Sequence, residues 1–125
     1  MKTLNDIRNE YKLSAPKSTR TKAALNFSKF PETACVIPAG TELEVYFSEV
    51  RPSRFYFEYA GAIRTATIER AHKFFTGFRK CPSLNSIQKM ESERGGCMTC
   101  LGNFTEPDGF GPSGEPSWML ALGVI

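Results

Sequence analysis

The chain has 125 residues, 41% of them hydrophobic and 23% charged, with 16 Lys and Arg against 13 Asp and Glu and a single His. This is the size and composition of one globular domain that can bury a core without metal or disulfide support, and it excludes global disorder. No apolar run reaches the roughly 18–20 residues of a membrane-spanning helix, and Met1-Lys2-Thr3-Leu4-Asn5-Asp6 lacks the pattern of a signal peptide, so a soluble, cytoplasmic protein with no membrane partner is expected.

In chain order, residues 3–12 predict a short helix, with Thr3 as cap, Asp6 three residues on, and Leu4, Ile7 and Tyr11 on one face. Ser14-Ala15-Pro16-Lys17-Ser18 reads as a break. Residues 1–17 are therefore expected to be an N-terminal helix or flexible arm, ahead of a single compact α+β domain over 18–125. Lys12, Lys17, Arg20, Lys22 and Lys29 follow one another with no acidic residue between them. Such a run marks either a solvated arm or a contact for nucleic acid or an acidic protein. Around Leu25 and Phe27 the pattern suits a strand, whereas Ala23-Ala24-Leu25 suits a helix; Pro31 ends either.

The middle of the chain is more regular. Ile37-Pro38-Ala39-Gly40-Thr41 is a turn, and Leu43, Val45 and Phe47 then alternate with Glu42, Glu44 and Tyr46, a period of two that predicts a half-buried strand. After Arg51-Pro52-Ser53, the residues Phe55, Phe57 and Tyr59 alternate with Arg54, Tyr56 and Glu58. Ala60-Gly61 turns the chain into a third strand over 63–68. This meander predicts an α+β protein: a small, strongly bent antiparallel sheet or SH3-like barrel with one or two short helices. A helical turn is expected over 69–75. A better helix is expected after Ser83, with Leu84, Ile87 and Met90 as its stripe and Gly95-Gly96 as its stop. Residues 98–104 and 118–125 read as strands, the second apolar on both faces and so expected at the centre of a sheet. A connection rich in Gly and Pro joins them.

Few residues carry catalytic chemistry. His72 lies in Ala71-His72-Lys73-Phe74-Phe75, where a structural role outweighs a catalytic one. Gly-x-Ser-x-Gly, His-Glu-x-x-His and the phosphate-binding Gly-x-x-x-x-Gly-Lys motif are all missing from the sequence. Asp108 sits in Pro107-Asp108-Gly109, where the turn accounts for it, and Glu42 and Glu44 share an exposed strand face that would not separate their acidities. No catalytic residue and no cofactor is assigned. Cys97-Met98-Thr99-Cys100 has the spacing of half a zinc knuckle, with Cys81 as the nearest further ligand and Cys35 or His72 as the remainder. It follows a helix stop rather than opening a helix, which argues against a redox pair. Free thiols are the leading expectation, and a zinc-stabilised module on Cys81, Cys97 and Cys100 is a lesser alternative.

A basic–aromatic surface is the third candidate. Arg51, Arg54 and Tyr56 lie on the first hairpin, Arg79 and Lys80 adjoin Phe74, Phe75 and Phe78, and Tyr46 and Tyr56 sit on polar strand faces. Small sheets bind single strands by stacking bases on exposed rings beside cations.

Two stretches carry a resemblance. Ser18-Thr19-Arg20-Thr21-Lys22-Ala23-Ala24-Leu25-Asn26-Phe27-Ser28-Lys29-Phe30-Pro31 is one. The other runs from Glu106-Pro107-Asp108-Gly109 through Gly114-Glu115-Pro116-Ser117-Trp118-Met119-Leu120-Ala121-Leu122-Gly123. With Pro38-Ala39-Gly40-Thr41, they resemble a family of small, uncharacterised proteins of tailed bacteriophages. The Cys-x-x-Cys lies outside that pattern. The resemblance implies a phage protein in the bacterial host cytoplasm and brings no activity or site residues with it. Small phage accessory proteins commonly inhibit or modulate host machinery, including defence systems. The expected function is therefore a non-enzymatic accessory protein that binds a host protein or nucleoprotein complex of nucleic-acid metabolism. Direct binding of single-stranded nucleic acid by the Tyr46 and Tyr56 face is the alternative. The expected contact residues are Arg20, Lys22, Lys29, Arg51, Arg54, Tyr46, Tyr56, Arg79 and Lys80. The partner's identity and the oligomeric state are left open.

Overall fold

A computed structural model describes residues 3–125; Met1 and Lys2, the start of the expected arm, lie outside the described residues. In chain order the elements are α1 (Leu4–Glu10), β1 (Lys17–Arg20), β2 (Leu25–Phe27), β3 (Cys35–Ile37), β4 (Glu42–Phe47), β5 (Arg54–Tyr59), β6 (Ala62–Thr67), α2 (Leu84–Arg94), β7 (Cys97–Met98), β8 (Phe104–Thr105) and α3 (Trp118–Ala121). Single 3₁₀ turns occupy Pro31–Thr33 and Ala71–Lys73. The fold is α+β. An antiparallel sheet of order β1-β4-β5-β6 forms its body, and β2-β3 and β7-β8 are two-stranded additions. Of the two architectures expected, the open sheet forms, with β1 and β6 at opposite edges rather than closed into a barrel. Among the described residues no helix is long and apolar enough to cross a membrane.

The meander follows from alternation. Leu43, Val45 and Phe47 of β4 and Phe55 and Phe57 of β5 turn inward and are buried. There they meet Phe75 and Phe78: Phe55 stacks on Phe78 at 5.1 Å and meets Phe75 edge-on at 5.3 Å. Ring pairs offset or tilted in this way gain beyond their buried area. The hairpin from β5 to β6 turns on Ala60 and Gly61, both with positive φ (53° and 75°), the two-residue turn whose twist matches the strands it joins. β1 was not legible in the sequence. Only Thr19 of its four residues is buried, so this edge strand shows no apolar alternation.

Helix α1 forms as expected, with a capping box: Thr3 N–H donates to Asp6 Oδ2 (2.7 Å) and Asp6 N–H to Thr3 Oγ1 (3.3 Å). Ile7 is its buried residue. The following chain is fastened to the end of β4, where Ser14 N–H donates to Phe47 O, Phe47 N–H to Ser14 Oγ, and Ser48 Oγ to Tyr11 O. Helix α2 also forms, capped by Ser83 and ended by Gly95 in the left-handed region. Of its expected stripe only Ile87 is buried; Met90 is half-buried, and Leu84, in the first turn, is exposed.

The C-terminus departs from expectation. Residues 118–125 are not a strand; Trp118–Ala121 is a helical turn. Ser117 caps it by accepting from Leu120 N–H (3.1 Å), and Trp-Met-Leu-Ala contains no β-branched residue. Trp118 and Ala121, three apart, face the core, whereas Val124 and Ile125 are exposed, so the chain does not end inside a sheet. The strand expected over 98–104 is instead the short pair β7-β8, with a turn over 99–103.

What holds that turn and the Gly- and Pro-rich connection together is Glu115, which is fully buried. Its carboxylate accepts from Thr99 Oγ1 (2.8 Å), Asn103 Nδ2 (2.7 Å) and Ser113 N–H (2.9 Å). Thr99 Oγ1 in turn accepts from Leu101 N–H and Asn103 N–H. A Cβ on Gly111 would come within 2.4 Å of Glu115 Oε2, so glycine is required there. Removing the carboxylate strands buried donors that cost about 1–3 kcal/mol each. Glu115→Ala is therefore expected to lower the unfolding free energy by about 3 kcal/mol or more, and Glu115→Gln by less. Urea denaturation checks this, and a loss for Glu115→Ala below about 1 kcal/mol would contradict it.

Candidate functional site

A groove of about 510 Å³ runs beside β6. Ile63, Arg64 and Thr65 line it in succession. Successive strand residues point to opposite faces, so a groove touching all three follows the strand's edge rather than either face. Arg54, at the start of β5, lies at the same groove, and Asn26, Phe27, Ser28, Lys29, Phe30 and Thr33 form the facing wall. Three cations and two aromatic rings line it, and no carboxylate does.

Two of these groups shape the groove and the others face solvent. Arg64 is 5% exposed. Its Nε donates to Tyr59 O (3.2 Å), its Nη1 donates to Thr33 O, and its guanidinium lies 5.4 Å from the centroid of the Phe27 ring. It therefore ties the β6 edge to the wall. Phe27 packs edge-on against Phe57 at 6.1 Å and links the wall to the core. In contrast, Phe30 is 61% exposed, Lys29 is exposed with Nζ 5.5 Å from the Phe30 ring, and Arg54 is exposed. Phe30, Phe27 and Arg64 were missed from sequence. Lys29-Phe30-Pro31, an aromatic beside a lysine just before a chain break, was the available signal.

The other expected contact residues are dispersed. Tyr46 and Tyr56 are buried, at 7% and 5% exposure, which corrects their assignment as exposed stacking residues. Alternation places them correctly on the outer face of the sheet, but α1 and the residues after it cover that face. Tyr11 stacks on Tyr56 at 5.2 Å, Arg8 lies 5.3 Å over the Tyr46 ring, and Arg51 lies 4.5 Å over Tyr11. Arg20 pairs with Glu42 at 2.5 Å, in a depression also lined by Glu44. Lys22 is exposed, with its backbone N–H bonded to Phe74 O. Arg79 carries its guanidinium against Gly102. Lys80 lines a separate cleft with Glu69, Arg70, His72, Lys73 and Cys81. Only Lys29 and Arg54 of the expected set meet in one groove.

The cysteines are not gathered. Cys97 and Cys100 are buried in the core, Cys81 and Cys35 are half-buried, and none is disulfide-bonded. Among the described residues no group of three or more His, Cys, Asp or Glu is placed to hold a metal ion, so Cys81, Cys97 and Cys100 do not form the zinc site weighed from their spacing. The physical reason is that Cys97 starts β7 and packs inward, with its thiol donating to Met98 O. Burial, and next the charge of Glu115, push the Cys100 thiol well above the ordinary thiol range; burial, and next Glu69, raise Cys81.

No family model, curated protein or solved structure matches the chain.

Two outcomes follow from this geometry. A thiol reagent at pH 8 is expected to modify native protein at Cys35 and Cys81 and to reach Cys97 and Cys100 only after unfolding, read by peptide mass spectrometry; rapid native labelling of Cys100 would contradict its burial. Tyr11→Ala, which removes the ring stacked on Tyr56, is expected to cost about 1 kcal/mol. It should also speed amide exchange across residues 4–10, and unchanged exchange there would mean that α1 is held by other contacts.

Proposed function

We propose that the protein acts by binding, as a phage accessory protein that modulates or inhibits host nucleic-acid machinery in the bacterial cytoplasm, and that the groove beside β6 is its contact surface. The observation that carries this reading is the lining: Lys29, Arg54 and Arg64 with Phe27 and Phe30, and no carboxylate. Cations gathered without counter-charges steer an acidic partner and fix its register, while an exposed ring beside them supplies contact area. Lys29, Phe30 and Arg54 are the contact residues, and Arg64 positions the wall. Arg51, exposed on the far side of the Tyr11 stack, is set aside as a primary contact because its guanidinium already serves that stack.

Direct binding of single-stranded nucleic acid is the weaker reading. Such surfaces stack successive bases on several rings. Tyr46 and Tyr56 are covered, which leaves Phe30 as the exposed ring of the groove.

Affinity capture from host lysate tests the proposal. Wild-type bait is expected to co-purify a component of nucleic-acid metabolism. Bait carrying Lys29→Glu and Arg54→Glu should lose it by about tenfold or more. The thermal midpoint should be unchanged, because both side chains are exposed. Equal capture by both baits, or capture of proteins unrelated to nucleic acids, would overturn the proposal.

A further inference from the structure

We infer that β6 is a docking edge, where an extended acidic segment of a partner protein adds to the sheet as a fifth strand. This rests on the groove being the contact surface and names the kind of partner it takes.

The first observation is that the two edges of the sheet are treated differently. β1 is covered. Arg20 N–H donates to Thr76 Oγ1, Thr76 N–H donates to Arg20 O, Thr19 Oγ1 donates to Thr76 O, and Thr21 bridges Phe75. β1 also carries Lys17 and Arg20. β6 stands beside the wall of residues 26–33, but no backbone group of that wall bonds to its outward N–H and C=O groups. It contains no proline, and its one charged residue, Arg64, is buried and committed to Tyr59 and Thr33. Natural edges are usually blunted by charge, proline or a covering segment, so a six-residue strand left open needs an explanation.

The second observation is the parity of its backbone. The two-residue turn at Ala60-Gly61 is closed by the pair Tyr59 and Ala62, and beyond the strand Ile68 N–H donates to Ser53 O (3.0 Å). In an antiparallel pair alternate residues direct both backbone groups to one side. Ala62, Arg64, Ala66 and Ile68 therefore address β5, while Ile63, Thr65 and Thr67 present their N–H and C=O groups outward. No other segment of the described chain hydrogen-bonds to those outward groups.

The groove supplies the selectivity. Lys29 and Arg54 stand exposed at a channel without carboxylates, and Glu32 and Glu58 adjoin the lining segments without entering it. An acidic strand would pair with β6 through its backbone and place alternate side chains toward the cations and toward Phe27 and Phe30, the logic of strand addition. A second copy of this chain is disfavoured, since pairing β6 with β6 would bring the Lys29 and Arg54 of both copies together. A nucleic acid has no ladder of N–H and C=O groups to offer, and would leave the outward amides unengaged.

The test uses the full chain, ¹⁵N-labelled, and two probes: a pool of decapeptides alternating Asp or Glu with Val, Ile, Phe or Tyr, and a ten-nucleotide oligothymidylate. The peptide pool is expected to slow hydrogen exchange at Ile63, Thr65 and Thr67 by about tenfold or more, leaving Arg64 and Ala66 unchanged. Thr65→Pro removes an outward donor at a position an edge strand tolerates and should abolish that protection. The wild-type exchange pattern decides the matter even if this variant does not fold. Absence of protection with the peptide pool, protection by the oligothymidylate instead, or a concentration-dependent dimer through β6 would each overturn the inference. If Lys29→Glu with Arg54→Glu loses the captured partner while folded Thr65→Pro retains it, the groove reading stands and strand addition fails.

Discussion

The structure turns on a carboxylate placed where water cannot reach it. Glu115 comes from a connection of eleven residues, 106–116, with no regular structure of its own, yet it is fully buried. A buried charge is tolerated when hydrogen bonds replace its hydration. Here the donors are a hydroxyl, a side-chain amide and a backbone N–H, drawn from Thr99, Asn103 and Ser113. One acceptor group thereby fixes the turn after β7 and the connection itself, while Ser117, which sends Trp118 into the core, is held separately by Pro107 O and Gly109 O. The apolar anchors of the last quarter of the chain, Cys97, Cys100, Trp118 and Ala121, join the main core, and Glu115 supplies the polar tie between them, since β7 and β8 are two residues each.

The N-terminal segment solves a different problem. A sheet with tyrosines on its outer face leaves amphipathic rings half wetted. Residues 4–14 lie over them and convert a polar-looking face into a second, smaller layer in which Tyr46, Tyr56 and Ile7 are buried and Tyr11 half-buried. Arg8 and Arg51 close its margins over the Tyr46 and Tyr11 rings. The face that looks available in the sequence is thus covered, and the proposed contact surface is the edge beside it.

Period-two alternation made the meander legible, and the capping signals at Thr3 and Ser83 made α1 and α2 legible, because each of these is local. The failures share a cause. Whether Tyr46 faces water depends on α1, more than thirty residues away. The turn at 118–121 is an exception: its cap at Ser117 is a local signal like Ser83, and the apolar run that follows hides it. β1 is polar because only one of its residues meets the core. At the groove, Lys29 and Arg54 could be nominated as cations, but their meeting depends on Arg64 reaching across to Thr33, and no spacing announces that contact. Glu115 carries no local signal, since a sequence does not say which carboxylate is dry.

Arg64 also settles when the cost of ordering is met. Its guanidinium joins the edge strand to the opposite wall through two carbonyls and a ring, all within the free protein. The width of the channel is set as the chain folds, before any partner arrives. The proposed association would need to immobilise only Lys29, Phe30 and Arg54 on this side, so most of its entropic burden would fall on the incoming segment. A partner that is already extended would bind such a channel more tightly than a flexible one of the same composition.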